Sequence, residues 1–149
     1  MVRQTGATMW RGLVERLVPD ASFAPGATDS ELAQTESALG APLPDELASL
    51  LRESNGITGD YGIDLIWPST RIASENVGFR SNGDFRQIYM PFDPLLFFAD
   101  AGNGDQFAVL GSIERDDVFV WNHEDDSRTW VAPTIKVYLE WWLTGRISI

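Results

Sequence analysis

The stretch Leu95–Trp130, LLFFADAGNGDQFAVLGSIERDDVFVWNHEDDSRTW, decides the fold. It opens four short runs, Leu95 to Ala99, Phe107 to Leu110, Val118 to Trp121 and Arg128 to Ala132, the last of which continues just past the stretch. Breaks rich in Gly, Asn and Asp separate them. Runs of this length suit strands and the breaks carry turn chemistry, so the spacing predicts an antiparallel four-strand meander. Gly102-x-Gly104 reads as a hairpin turn that needs positive φ. It is not a dinucleotide fingerprint, because no third glycine follows and the next element is a strand.

The flanks of the meander read mainly as helix. Met9, Trp10, Leu13, Val14 and Leu17 recur at helical spacing, with Arg11, Glu15 and Arg16 opposite, and Pro19 ends this helix. Asp20 to Ala27 reads as a link. Thr28-Asp-Ser-Glu31 is a capping-box pattern opening a helix to Leu39, with Gly40 as its left-handed stop. Glu36 shares a face with Leu32 and Leu39 and needs partners, for which the free amides around Asp45 and Glu46 are candidates. It reads as structural, not catalytic.

Pro44 is expected in the first turn of a third helix, faced by Leu47, Leu50 and Leu51 and closed by Asn55-Gly56. A turn at Gly59 to Gly62, a strand Ile63 to Trp67 and a short helix capped by Ser69 to about Val77 follow. Gly78 to Pro94 reads as a long loop with a short strand at Gln87 to Met90. Thr134 caps a last helix to Thr144, where Gly145 stops it. The fold class expected is therefore α+β: one domain over residues 1–149, with a largely antiparallel sheet and helices packed on it.

The 149 residues suffice for a single core, burying about 68 to 70% of the unfolded surface. Eleven basic against 22 acidic residues give a net charge of −11, and Lys136 is the one lysine. Such a surface disfavours nucleic acid and anionic lipid and favours a basic partner, although solubility alone would also account for it. The absence of cysteine excludes disulfides and thiolate metal sites. No apolar run approaches the roughly 18 residues of a membrane span, and Arg11, Glu15 and Arg16 break up any signal-peptide core. A cytoplasmic location is expected.

The candidate chemistry is sparse. His123 is the only histidine and stands beside Glu124, Asp125 and Asp126, without the second imidazole or spaced carboxylates that metal hydrolases supply. Asp100, Asn103 and Asp105 fail the calcium-loop order, because Gly102 and Gly104 occupy ligand positions. No metal or cofactor is expected. Of the six tryptophans, Trp10, Trp121, Trp130 and Trp142 fit core or sheet positions, whereas Trp67 and Trp141 are less constrained.

In a meander alternate turns share an end, so the turns near Gly102 and Glu124 meet, while Glu114 to Asp117 project from the other end. Asp60, Asp64, Asp100, Asn103, Asp105, Glu124, Asp125 and Asp126 are thereby candidate residues for contacting a basic partner. A solvated rim without a task is the alternative.

Pro25-Gly26, the helix ending Glu36-xx-Leu39-Gly40, Leu43-Pro44, the helix ending Asn55-Gly56, and the strand-Gly-x-Gly-Asp-strand hairpin at Gly102 to Asp105 occur in an order that resembles the SUKH superfamily, and within it the Smi/Knr branch. The likeness spans roughly Pro25 to Thr144, and Gly78 to Pro94 departs from it. The resemblance implies an α+β fold, no catalytic set, and a protein-binding role. In bacteria that role is mostly immunity against a toxin, frequently a nuclease; in eukaryotes it is regulatory binding. A small hydrolase using Asp100, Asp105 and His123 is the remaining reading.

Overall fold

In the computed structural model, which describes residues 9–110 and 116–149, the elements run in this order. They are α1 (Met9–Leu17), β1 (Ser22–Phe23), α2 (Asp29–Leu39), α3 (Asp45–Glu53), β2 (Ile57–Thr58), a 3-10 turn at Asp60–Gly62 and β3 (Asp64–Ile66). Then come α4 (Ser69–Ser81), α5 (Gly83–Ile88), β4 (Leu95–Asp100), β5 (Gln106–Leu110), β6 (Val118–Trp121), β7 (Arg128–Ala132) and α6 (Ile135–Leu143). The architecture is α+β with antiparallel sheets.

β4 to β7 form the expected meander in sequential order, in a register set by pairs such as Leu96↔Val109, Phe107↔Val120 and Phe119↔Trp130. Glu114 lies outside the described residues. A three-stranded sheet, β1-β2-β3, precedes it. The sequence shows only its third strand, because β1 and β2 have two residues each, too few for a period. The Trp67 N–H donates to Phe98 O at 2.7 Å and joins the two sheets.

β4 is buried from Leu95 to Ala99, on both faces, and so reads as a continuous apolar run without alternation. Its outer edge therefore needs partners for its backbone. Asn76, itself 1% exposed, supplies them in the manner of a strand: its Oδ1 accepts from Phe97 N (2.8 Å) and its Nδ2 donates to Phe97 O (2.9 Å). Arg80 Nη2 adds a bond to Leu95 O at 2.9 Å. These contacts fix α4 against the sheet.

α6 covers the meander with Ile135, Tyr138 and Leu139. The Tyr138 ring packs on Phe98 and Phe107, and its hydroxyl donates to Leu65 O at 3.2 Å. Burial first, and then the charge of Asp100, push this phenol far up, so it stays protonated.

Carboxylates of α3 tether the helices that flank it in space. Glu46 accepts from Ile135 N (2.7 Å) and Lys136 N (3.0 Å) at the start of α6, and Glu53 accepts from Trp10 N (2.9 Å) and Arg11 N (3.3 Å) in α1. Free amides at a helix start favour a negative partner. Burial raises both carboxyls above the usual range, against the lowering effect of those same amides.

Glu36 works similarly. Its Oε2 accepts from Leu43 N at 2.7 Å, just ahead of the amides expected to hold it. The capping box at Thr28 and Glu31 and the left-handed Gly40 form as expected.

Several expectations need correction. Pro44 is the N-cap of α3 and not part of its first turn, and α3 closes at Ser54, ahead of Asn55-Gly56. Asn55 instead accepts from Ser69 N at 2.7 Å, which takes up a free amide of α4 and leaves Ser69 inside the helix with Pro68 as cap. Gly78 to Pro94 is not a long loop, and Gln87 to Met90 forms no strand: α4 runs on to Ser81 and α5 follows. Asn82 starts α5 as its N-cap: its Oδ1 accepts from Asp84 N (2.9 Å) and Phe85 N (3.2 Å). Trp130 takes the expected sheet position, on the edge strand β7, and is 48% exposed there, while Trp67, less constrained by the sequence, is fully buried under Arg71.

Among the described residues no helix is long and apolar enough to cross a membrane. Asn76→Ala leaves two buried backbone groups of Phe97 without partners, and denaturant titration should show a loss of about 2–4 kcal/mol. Gly26→Ala should cost about 1–3 kcal/mol by overpacking. A Cβ there would sit 2.0 Å from Arg52 O, because Ala27 N–Leu51 O and Asn55 N–Pro25 O bonds pin this link against the end of α3.

Candidate partner-binding face

Three turns assemble at one end of the meander. In the β4–β5 turn Gly102 and Gly104 take φ of 96° and 98°, and Asn103 Oδ1 accepts from Asp105 N at 3.0 Å. A Cβ on Gly104 would fall 2.8 Å from the His123 ring, and one on Gly102 would fall 2.8 Å from Ile63 Cδ1. The 60–63 turn, the 102–105 turn and the 122–127 turn are thus immediate neighbours.

The structure sorts the eight candidate residues by their partners. Asp64 and Asp100 face Arg71, at 3.0 and 2.7 Å, and its guanidinium stacks 4.1 Å above the Trp67 ring. Burial by itself would lower the Arg71 pKa, but Asp100 and then Asp64 outweigh it, and the group is held above its ordinary value. Asp105 is 6% exposed; its Oδ1 accepts from His123 N at 3.2 Å and lies 2.6 Å from His123 Nδ1.

Asp126 is tucked in as well. Its Oδ1 accepts from Trp121 Nε1 (2.7 Å) and Arg128 Nη2 (3.0 Å), and its Oδ2 from Met90 N (2.8 Å). Burial would raise this carboxyl, yet those donors outweigh it and hold it below the usual Asp range.

Asp60, Asn103, Glu124 and Asp125 remain exposed. Asp125 accepts from Ser127 N at 2.9 Å, which lowers its pKa. At this end, then, four acids are paired and three face solvent.

Two residues of this face escaped the sequence reading. Arg71, which pairs with two of the acids, left no local signal, since its partner Asp100 is 29 residues away. Tyr61 is 98% exposed at φ 62°. The flanking Gly59 and Gly62 signalled the turn and nothing about the ring at its tip.

As chemistry, the arrangement offers charge and shape. Among the described residues no group of three or more His, Asp or Glu could hold a metal. His123 and Asp105 make a pair, but Asp100, the third member of the hydrolase reading, is engaged by Arg71.

Helices on an antiparallel sheet, ending in ordered polar turns, make this an α+β protein whose distinctive surface is a set of fixed loops. The SMI1 / KNR4 family (SUKH-1) matches over residues 26–141, most of the chain, and the protein belongs to that family, which is generally without catalysis. No curated protein matches the chain.

The lowered Asp126 carboxyl sets a pH dependence. A folded-state pKa below the unfolded one contributes stability above about pH 3.9, the ordinary Asp value, and that contribution disappears as pH falls through the folded value. Asp126→Asn should cost about 1–3 kcal/mol near neutrality, since a charged acceptor of several hydrogen bonds is lost. It should also flatten the acid limb of the stability curve, read by near-ultraviolet circular dichroism and denaturant midpoints between neutrality and acid.

Proposed function

We propose that the protein is a non-catalytic binding module that neutralises a basic toxin domain in the bacterial cytoplasm, as an immunity protein. The observation that carries this reading is the set of exposed acids, Asp60, Glu124 and Asp125, on turns whose other acids are already paired. Carboxylates on neighbouring turns repel one another, and a cationic partner surface relieves that repulsion. The net charge of −11 adds long-range attraction for such a partner. Membership in the SMI1 / KNR4 family agrees with either immunity or regulatory binding. Occlusion needs no bond made or broken: carboxylates stand where a nuclease would accept phosphates. A regulatory module using the same surface on another basic protein is the alternative, separated by whether the chain protects cells that express the toxin.

The test is co-expression with the product of the adjacent gene, followed by binding kinetics. Protection, co-purification, and an association rate that falls about tenfold or more between low and physiological salt are the expected results. Glu124→Gln with Asp125→Asn should slow association while leaving the fold intact, and His123→Ala, checked for folding because its ring meets buried Asp105, should still protect. A salt-independent association rate counts against charge-led docking, and turnover lost in the His123 variant would replace this reading with the hydrolase.

A further inference from the structure

Beside the acidic turn lies a cavity of about 330 Å³ walled by the rings of Phe79, Phe85, Tyr89 and Phe92. Arg80 and Asp93 also line it; burial lowers the Arg80 pKa, against the raising effect of the nearby Asp93 charge. This volume is at the small end of ligand sites, about 300–1,000 Å³, and fits one large side chain better than a cofactor. Met90, 59% exposed, lines the cavity, and Ile88, 68% exposed, stands on α5 close by.

The cavity and the acidic turn form one unit. Met90 N donates to Asp126 (2.8 Å), Arg128 donates to Pro91 O (2.8 Å) and Met90 O (2.7 Å), and the Tyr89 hydroxyl donates to His123 O (3.1 Å). Phe92 and Tyr89 pack edge-on against Trp121, whose indole is bonded to the same Asp126. Glu124 and Asp125, in the turn that these bonds clamp, show no ion pair among the described residues. An apolar hole next to unanswered carboxylates has the form of an interface anchor with a charged rim.

Resting on the binding role proposed above, we infer that the aromatic cavity receives one apolar side chain, aromatic or long aliphatic, from a basic protein segment whose flanking lysines or arginines meet Glu124 and Asp125. The apolar side chain sets affinity, and the cations set approach and orientation.

Nitrogen-15 NMR titration of the full chain with the tripeptides Lys-Trp-Lys, Lys-Gly-Lys and Glu-Trp-Glu tests this. Lys-Trp-Lys should shift the amides of Phe85, Tyr89 and Met90 and bind about tenfold more tightly than the other two, a difference of about 1.4 kcal/mol. Met90→Trp, at an exposed position that should not disturb folding, should close the cavity and remove the advantage over Lys-Gly-Lys. Equal affinity for Lys-Trp-Lys and Lys-Gly-Lys, with the cavity amides unmoved, overturns the anchor and leaves charge-led docking standing. Equal affinity for Glu-Trp-Glu overturns the basic character of the occupant. Silence toward all three peptides overturns the inference, while the broader role is judged separately on the adjacent gene's product.

Discussion

The outer edge of β4 is closed by a side-chain amide where a strand would normally lie. Asn76 bonds both the N–H and the C=O of Phe97, Arg80 takes Leu95 O, and Trp67 takes Phe98 O. A strand buried from Leu95 to Ala99 cannot leave those groups to water, so α4 and the link after β3 are obliged to sit where they do. What α4 carries follows from this. Arg71 is delivered to the polar end of the sheet, where it gathers Asp64 and Asp100, and Phe79 and Arg80 are delivered to the aromatic cavity.

The excess of acid is not spread evenly over the surface. Glu46 and Glu53 are absorbed by backbone amides at helix starts, where the negative charge and the free N–H groups answer each other, and Glu36 by the Leu43 amide ahead of α3. Asp64, Asp100, Asp105 and Asp126 are absorbed by Arg71, His123 and Arg128. What remains at the turn end of the meander is Asp60, Glu124 and Asp125, exposed on turns whose backbone is hydrogen-bonded.

His123 stands where two turns of the meander meet. Its ring lies against Gly104, its Nδ1 meets the buried Asp105, and its carbonyl holds Tyr89. The imidazole thereby ties the first turn of the meander to the third, while the His123 backbone carbonyl, through the Tyr89 hydroxyl, ties the third turn to the end of α5. The motifs that mark the family behave alike. Gly26 permits the close pass over Arg52, Glu36 holds Leu43, and Asn55 holds the start of α4.

Legible in the chain are the strands of the meander, the helices at Met9–Leu17, Asp29–Leu39 and Ile135–Leu143 with their caps at Thr28 and Thr134, and the sharing of one end by the turns near Gly102 and Glu124. Periodicity, capping and turn chemistry act over a few residues, and the chain states them locally. Long-range packing is what assigns which acids are paired and which stay exposed, buries Trp67 and leaves Trp130 half exposed, and makes α5 and the cavity out of a stretch that reads as loop. The bonds responsible join distant positions: Glu46 meets Ile135 across 89 residues, and Arg71 meets Asp100 across 29. No local pattern encodes such pairs, because each side chain is assigned its partner only when packing brings the two elements together.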